Sequence, residues 1–556
     1  VSRSPAEGDL QTASSFETAG APHRPSLSLA LGASVLILVV TAVALRLLQA
    51  GNTVDDAYIT YRYAAHLASG EGLVYNPGER VLGTSSPVYA LVLAGLSFVT
   101  GVRNLPLLSL WLNAAVDGLA ALGLFVLVRR LSPYPAGAGS LIGLLVAGLY
   151  ALDAKSVDFS TGGMESPLFV AVLVGIALLL AWDRHLPAAV LAGLSCWIRP
   201  DGGLMAAALL FSLLWVRRHV PWRELAVAAV PVAVFLALAW LAYGDPLPAS
   251  LRAKAAGVYQ LPPDHALRYL ARHLAGMTIP RLPLGRALPF LPGTAREYAT
   301  LATTSLLPLA LMVFGARRAA GGGSRASVLF VALYAAGFVV AFAWGNPFMM
   351  GWYYVPLETA YLVLLGLGAG AVATVAYRRG LGVPLAPRGR LAFAVGLVLL
   401  VLLVPQLRRY QWLPASGVRA ASLRSEWEKI REQDYRRVGR DLEQATKGRA
   451  RIAGPEIGAL GYVYSGPILD TVGLVSPEAR AYYPLPAEII VGNNAIPPDL
   501  IADQLPDFVV FLEIFGRRGL LRDARFARDY RLWRVYPSRT FGSRGLLVYV
   551  RRSSLW

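Results

Sequence analysis

The 556-residue chain is poor in thiols and poor in charge, and it lacks the motifs that bring nucleotide energy into an enzyme. Its single cysteine, Cys196, excludes an intramolecular disulfide and any thiolate metal cluster. Set within an apolar run, it reads as a small core residue. Charged residues make up 15% of the chain, where an ordinary soluble domain carries about 25%. No P-loop, dinucleotide fingerprint or metalloprotease helix is present, and no internal repeat of solenoid type appears. What fills the chain instead is apolar: 55% hydrophobic residues, with several runs reaching the ~20 residues that cross a bilayer. That excludes a disordered or collagen-like chain and leaves a polytopic membrane protein. The formal charge of +18 sits largely beside the apolar runs, where Lys and Arg set orientation, so nucleic acid is not the expected partner.

The first apolar run, Leu27 to Leu48, follows a polar, Ser/Pro/Ala-rich tail and reads as a retained anchor, with Arg46 snorkelling to the interface. His23 and Arg24 place its start on the cytoplasmic side. Pro87 to Thr100 is short for a crossing and is expected to lie along the interface or re-enter, which keeps Arg129-Arg130 inside. Leu105–Val128, Leu141–Leu152, Pro167–Trp182, Leu186–Ile198, Gly202–Val216, Leu225–Tyr243, Leu301–Phe314, Ser327–Trp344, Tyr353–Tyr377 and Leu391–Val404 then alternate, for about 11 transmembrane helices. The expected domains are a disordered cytoplasmic tail (1–26), a transmembrane domain (27–407) and an extracytoplasmic α/β domain (408–556). In the last, a charged helix over Ser422–Thr446 precedes strands at Ala450–Gly454, Tyr462–Tyr464, Phe508–Leu512, Tyr530–Tyr536 and Leu546–Arg551.

With this topology the polar segments fall mostly on the outer face. Asp55 and Asp56 stand directly after the first span, where two adjacent carboxylates are costly unless paired, hydrated or used. Neighbours on a helix diverge by about 100°, so one can act as a base while the other binds a cation or holds the fold; a helix N-cap is the alternative. The loop continues through Gly70–Arg80 and Gly83-Thr84-Ser85-Ser86-Pro87, rich in turn formers and aromatics. Glu165 stands at the mouth of a span, as a second acid, a substrate ligand or a cap. Arg199 suits a phosphate or carboxylate through its planar fork, against a local pair with Asp201 that closes the turn. Arg252 and Lys254 oppose the orientation bias, which an anionic lipid head group would explain. His265, Arg268 and Arg272 share a helical face, with His273 read as a surface residue. Trp352 and Tyr353 suit an interfacial aromatic belt or a sugar platform. Asp56 and Glu165 could supply oxygen ligands to a divalent cation.

The run from Asp55 to Tyr63, the Gly72–Arg80 stretch and Thr84-Ser85-Ser86-Pro87 resemble the first outer loop of GT-C-fold integral-membrane glycosyltransferases, in particular the mycobacterial terminal arabinofuranosyltransferases. Gly163–Pro167, Arg199-Pro200-Asp201-Gly202 and Gly244–Lys254 resemble further elements of that group. The resemblance implies a multi-span enzyme that takes sugar from a polyprenyl-phosphate donor to a cell-envelope glycan, glycolipid or protein acceptor. It implies Asp55 as the catalytic base, Asp56 as its acidic partner, and an extracytoplasmic C-terminal domain that helps hold a glycan. Within the matched segments Tyr58, Arg62, Glu165, Arg199, Asp201, Arg252 and Lys254 become candidate substrate contacts, with Trp352 and Tyr353 joining them as the sugar platform. Single displacement at the anomeric carbon inverts configuration, a carboxylate taking the acceptor proton while a cation meets the departing phosphate. A glycolipid transporter or flippase is the competing class. Its ionisable groups would be expected near the bilayer midplane, in repeat-related segments.

Overall fold

The computed structural model describes residues 25–48, 53–134, 136–278, 293–321, 324–379, 410–413, 417–420, 426–491 and 494–556. The expected tail up to residue 24 and the expected last crossing at Leu391–Val404 lie outside the described residues. The apolar runs form helices α1 (Pro25–Leu47), α2 (Asp55–Ala68), α3 (Pro87–Thr100), α4 (Leu105–Leu131), α5 (Ala136–Ala151), α6 (Ala154–Thr161), α7 (Ser166–Ala181) and α8 (His185–Ile198). They continue as α9 (Gly203–Arg217), α10 (Trp222–Tyr243), α11 (Ala249–Ala255), α12 (His265–Thr278), α13 (Gly293–Ala319), α14 (Arg325–Gly345) and α15 (Tyr354–Arg379).

Among the described residues, six helices are long and apolar enough to cross a membrane, or seven if the bent pair Gly137–Ala151 and Ala154–Thr161 is one span. Helices α3, α7 and α8 are apolar but hold only 14 to 16 residues; at 1.5 Å per residue they reach about 21–24 Å, short of a ~30 Å hydrocarbon core. Apolar content alone assigns such runs to crossings, whereas length separates them. The outer surface of the bundle carries the side chains that lipid requires: Leu36, Ile37, Phe98, Trp111, Phe211, Trp215, Trp240, Leu241, Leu306 and Trp344 are all exposed. The protein is a multi-pass membrane protein. Inside, α4 packs on α1, α5 and α7, and α13 crosses α15 where Gly315 and Gly368 meet. A Cβ on either glycine would strike the other helix's backbone, the close approach that small residues permit in membranes.

Arg46 departs from expectation. It does not snorkel but turns inward, fully buried, with Nε 2.9 Å from Asp117 Oδ2 on α4. It also donates to Ser156 Oγ at 2.8 Å and to the Ala151 carbonyl, while the Tyr150 hydroxyl donates to the other Asp117 oxygen. A charge held against lipid is expensive, so a carboxylate partner within the bundle outcompetes a reach to the headgroups.

After a small antiparallel hairpin, β1 (Tyr410–Leu413) with β2 (Gly417–Ala420), comes helix α16 (Glu426–Thr446). Its Tyr435, Val438 and Leu442 are fully buried, the three- and four-residue spacing of one apolar helix face. Strands β3 (Ile452–Gly454), β4 (Ile468–Asp470), β5 (Phe508–Leu512), β6 (Tyr530–Tyr536) and β7 (Leu546–Arg551) form one sheet in the order β4-β3-β5-β7-β6. β3 runs parallel to β4 and β5, and β7 antiparallel to β5 and β6. The central β5 is buried at all five residues, as a continuous apolar strand in a covered sheet should be. The strand expected at Tyr462–Tyr464 is instead the end of a short helix, α17 (Gly458–Val463). Three tyrosine and valine side chains in a row give β-propensity, but tertiary packing against α2 overrides it. The three-residue β4 has too little pattern of its own to be anticipated.

Candidate active site

A cavity of about 940 Å³ opens between the helical bundle and the C-terminal sheet domain. Its wall gathers the start of α2 (Asp55, Asp56), the Gly83-Thr84-Ser85-Ser86 turn, Glu165, Arg199, Asp201, Lys254, Trp352 and Tyr353. These residues come from loops that the sequence reading placed on one side of the membrane. Tyr58, Arg62 and Arg252, also expected at the substrate, are not in the wall.

The two adjacent aspartates part ways, as neighbours about 100° apart on a helix must. The Asp55 carboxylate is buried and accepts two backbone hydrogen bonds at the start of α17, from Ala459 N at 2.8 Å and Gly458 N at 3.3 Å. Asp56 is partly exposed to the cavity and takes no hydrogen bond from the protein among the described residues. Burial, followed by the charge of Asp55, raises its pKa from the ordinary 3.8 to about 6; Arg431 and Lys254 pull in the opposite direction, and Glu165 adds a further push upward. A carboxylate that faces a cavity without donors and is lifted toward neutrality is suited to accept a proton. Both aspartates line the cavity; Asp55 is engaged by the backbone of α17, and Asp56 is the one without a donor among the described residues.

Arg199 forms the local fork anticipated as its alternative. Nε and a terminal nitrogen each lie 2.9 Å from the two Asp201 oxygens, with Glu165 Oε1 at 3.8 Å and the Trp352 carbonyl at 3.3 Å. Its guanidinium lies against the rings of Phe169 and Tyr353. Glu165 is buried, which pushes its carboxyl above the usual range against the opposing charge of Arg199. Lys254 reaches the cavity from α11 and donates to the Tyr353 hydroxyl at 2.9 Å, a neutral partner that leaves its charge available to an anion. Trp352 stacks edge-on with Phe159, and its carbonyl rather than its ring meets Arg199.

The three residues outside the wall have other work. Arg252 is exposed and pairs with Asp245 at 2.5 Å, which supplies the counter-charge its outer position called for. The Tyr58 hydroxyl donates to Glu432 at 2.6 Å. Arg62 is buried and spends its guanidinium on backbone carbonyls. His273, read as a surface residue, is largely buried in the cavity wall with its ring 4.2 Å from that of Tyr354 and its imidazole against Glu358. Arg272 also reaches the wall while paired with Glu297.

The sequence reading missed the far side of the site altogether. Arg431, Glu456, Asn494, Phe515 and Phe541 line the cavity from the C-terminal domain. Arg431 pairs with Glu456 at 2.6 Å and holds its guanidinium over the Phe541 ring. Burial raises the Glu456 pKa, with Arg431 opposing. Lys155 adds a cation over the Tyr354 ring at 4.0 Å. Among the described residues no group of three or more His, Cys, Asp or Glu is arranged to hold a metal ion; Asp56 and Glu165 face the same cavity.

Comparison with known proteins bears on the fold. Residues 425–550 match a model described as a domain of unknown function, DUF8728. A terminal β-(1→2)-arabinofuranosyltransferase of Mycobacterium tuberculosis is 30% identical over 197 residues, 32% of this chain and 31% of that protein. The match thus spans under a third of the relative's length. The crystal structure of ArnT from Cupriavidus metallidurans bound to undecaprenyl phosphate is 12% identical and covers 95% of this chain and 99% of its own, with a TM-score of 0.52. The oligosaccharyltransferase AglB from Archaeoglobus fulgidus, in complex with an inhibitory peptide and a dolichol-phosphate, is 13% identical over 95% of this chain and 75% of its own, with a TM-score of 0.52. The chain has the fold of the GT-C glycosyltransferases.

Proposed function

We propose that this protein is a glycosyltransferase that moves a sugar from a polyprenyl-phosphate donor to an acceptor hydroxyl, with Asp56 as the proton acceptor. The observation that carries the reading is an aspartate without hydrogen-bond donors among the described residues, raised to a pKa of about 6, in a cavity that also holds Lys254. The acceptor hydroxyl attacks the anomeric carbon and loses its proton to Asp56. The bond from that carbon to the phosphate oxygen breaks on the opposite face, so configuration inverts. The departing polyprenyl phosphate gains negative charge, and Lys254, hydrogen-bonded only to the neutral Tyr353 among the described residues, is the cation best placed to receive it. Arg199, neutralised by Asp201 and Glu165, holds the wall rather than the phosphate.

The two structures of similar fold hold undecaprenyl phosphate and a dolichol-phosphate, which supports a prenyl phosphate as the common ligand chemistry. The partial identity to an arabinofuranosyltransferase supports a pentofuranose as the sugar. The acceptor, a glycan, glycolipid or protein, would enter along the rim formed by Arg431, Asn494 and Phe541. The positive-inside pattern of the sequence supports an extracytoplasmic cavity and C-terminal domain.

A second reading keeps Asp55 as the base, since it lines the same cavity and the motif resemblance nominates it. Purified protein in lipid nanodiscs, given polyprenyl-phosphate sugars and candidate acceptors, should release polyprenyl phosphate and glycosylated product in equal amounts. Asp56→Asn should stop release, while Asp55→Asn should retain a measurable rate; the reverse pattern returns the base to Asp55. Transbilayer movement of the lipid without any release would instead establish the flippase class and remove the transferase reading.

A further inference from the structure

Helix α2 carries two buried charged residues seven positions apart, Asp55 at the edge of the cavity and Arg62 outside its wall. Asp55 stands at its first position and Arg62 seven residues later, about 10 Å along the axis. Helix α17 beside it is six residues long, about 9 Å. The Asp55 carboxylate accepts from Gly458 N and Ala459 N at the start of α17. The Arg62 guanidinium donates to the carbonyls of Gly461, Tyr464 (2.7 Å) and Gly466 (2.8 Å), at and just beyond the other end. An anion thus meets the free N–H groups and a cation the free carbonyls, the complementarity that helix ends favour.

With Asp56 as the proton acceptor, the reaction leaves both charges without a role. Arg62 is buried and, among the described residues, its partners are backbone carbonyls and the Tyr75 ring. Such desolvation persists only where the fork is fully satisfied. The contact is also close: a Cβ at Gly458 would collide with the Asp55 backbone carbonyl. Around it, the Tyr75 hydroxyl donates to the Ile457 carbonyl at 2.7 Å, and the Asn76 side-chain amide exchanges two hydrogen bonds with the backbone of Ile468.

We propose that Asp55 and Arg62 are positioning residues that grip the two ends of α17 and so lock the C-terminal domain in register over the cavity. The segment just before α17 carries Glu456 and Ile457 into the wall, and Glu456 holds Arg431. The grip therefore fixes the charged roof above Asp56. The proposal rests on Asp56, not Asp55, being the proton acceptor, but its first readout does not depend on transfer.

The test measures hydrogen exchange in the full-length protein for peptides covering 455–466, alongside kcat and KM for the lipid donor. Loss of charge-assisted hydrogen bonds in Arg62→Gln should speed exchange in that segment about tenfold to a hundredfold. It should lower kcat by a similar factor while the donor KM, set by the bundle side of the cavity, moves less than about threefold. Arg62→Lys, which keeps the cation but loses the fork, should recover part of both. Gly458→Ala perturbs the same contact from the other domain and should reproduce the effect if Arg62 variants do not fold. Asp56→Asn serves as the control that stops transfer without faster exchange. Unchanged protection in both Arg62→Gln and Gly458→Ala overturns the grip. Lost protection with wild-type kcat overturns its role in positioning. If no transfer is found in the wild-type protein, the exchange result still decides the grip alone.

Discussion

Asp56→Asn should make the protein more stable and inactive at once. Holding this carboxyl at about 6 instead of 3.8 corresponds to about 3 kcal/mol of unfavourable ionisation in the folded state at neutral pH, an upper figure because the side chain keeps some contact with water. Asparagine has nearly the same shape and no charge, so most of that strain should vanish. The sign follows from linkage. The folded carboxyl binds a proton more tightly than the unfolded one, so the wild type loses stability as pH rises from about 4 to about 6 and stays penalised above. The advantage of Asp56→Asn should accordingly be full above pH 6, shrink as pH falls through 6 and be gone below about 4. Thermal unfolding in detergent from pH 4 to 8, with tryptophan emission as the signal, measures the difference. Transfer by the wild type should fall about tenfold per pH unit below 6, as expected for a base that must be ionised. If Asp56→Asn unfolds at a lower temperature at pH 7.5, or turns over normally, the assignment of the cavity base is wrong.

Lys254→Met should lower kcat by about 10²- to 10³-fold, the usual loss for one electrostatic stabiliser, with weaker binding of free polyprenyl phosphate by calorimetry. Arg252→Ala should leave transfer within about twofold, because an exposed ion pair such as Arg252–Asp245 contributes little. Asp117→Ala should destabilise the bundle by about 3–5 kcal/mol by stranding the buried Arg46 charge, visible as loss of the folded peak in detergent chromatography, while Arg46→Met with Asp117→Leu should recover much of it. Tyr58→Phe should cost about 1–3 kcal/mol by leaving Glu432 short of a donor, read as faster exchange at the start of α16.

Local pattern reveals local things. The adjacent aspartates after the first apolar run, the polar turn at Thr84–Ser86 and the Arg199-Pro200-Asp201 corner all announced themselves, because polar groups beside hydrocarbon need a reason, and all line the cavity. Which aspartate the C-terminal domain engages was not legible: the donor is Ala459, 404 residues downstream of Asp55. The same distance hid Arg431, Glu456 and Phe541, which look on the page like ordinary residues of a soluble domain. Arg46 was misjudged because its partner Asp117 sits in another apolar run, and a single sequence does not pair runs. The end of α17 reads as strand at Tyr462–Tyr464 because a six-residue helix carries too little periodicity to outvote two tyrosines and a valine.

The cavity draws its lining from residue 53 to residue 541, nearly the full chain. During synthesis, then, a polypeptide whose hydrophobic portion has already entered the bilayer holds half a pocket, open to water and missing its arginine and glutamate ceiling. The cavity is complete only once the C-terminal domain has settled on the bundle, so a chain clipped ahead of Arg431 lacks one wall of it.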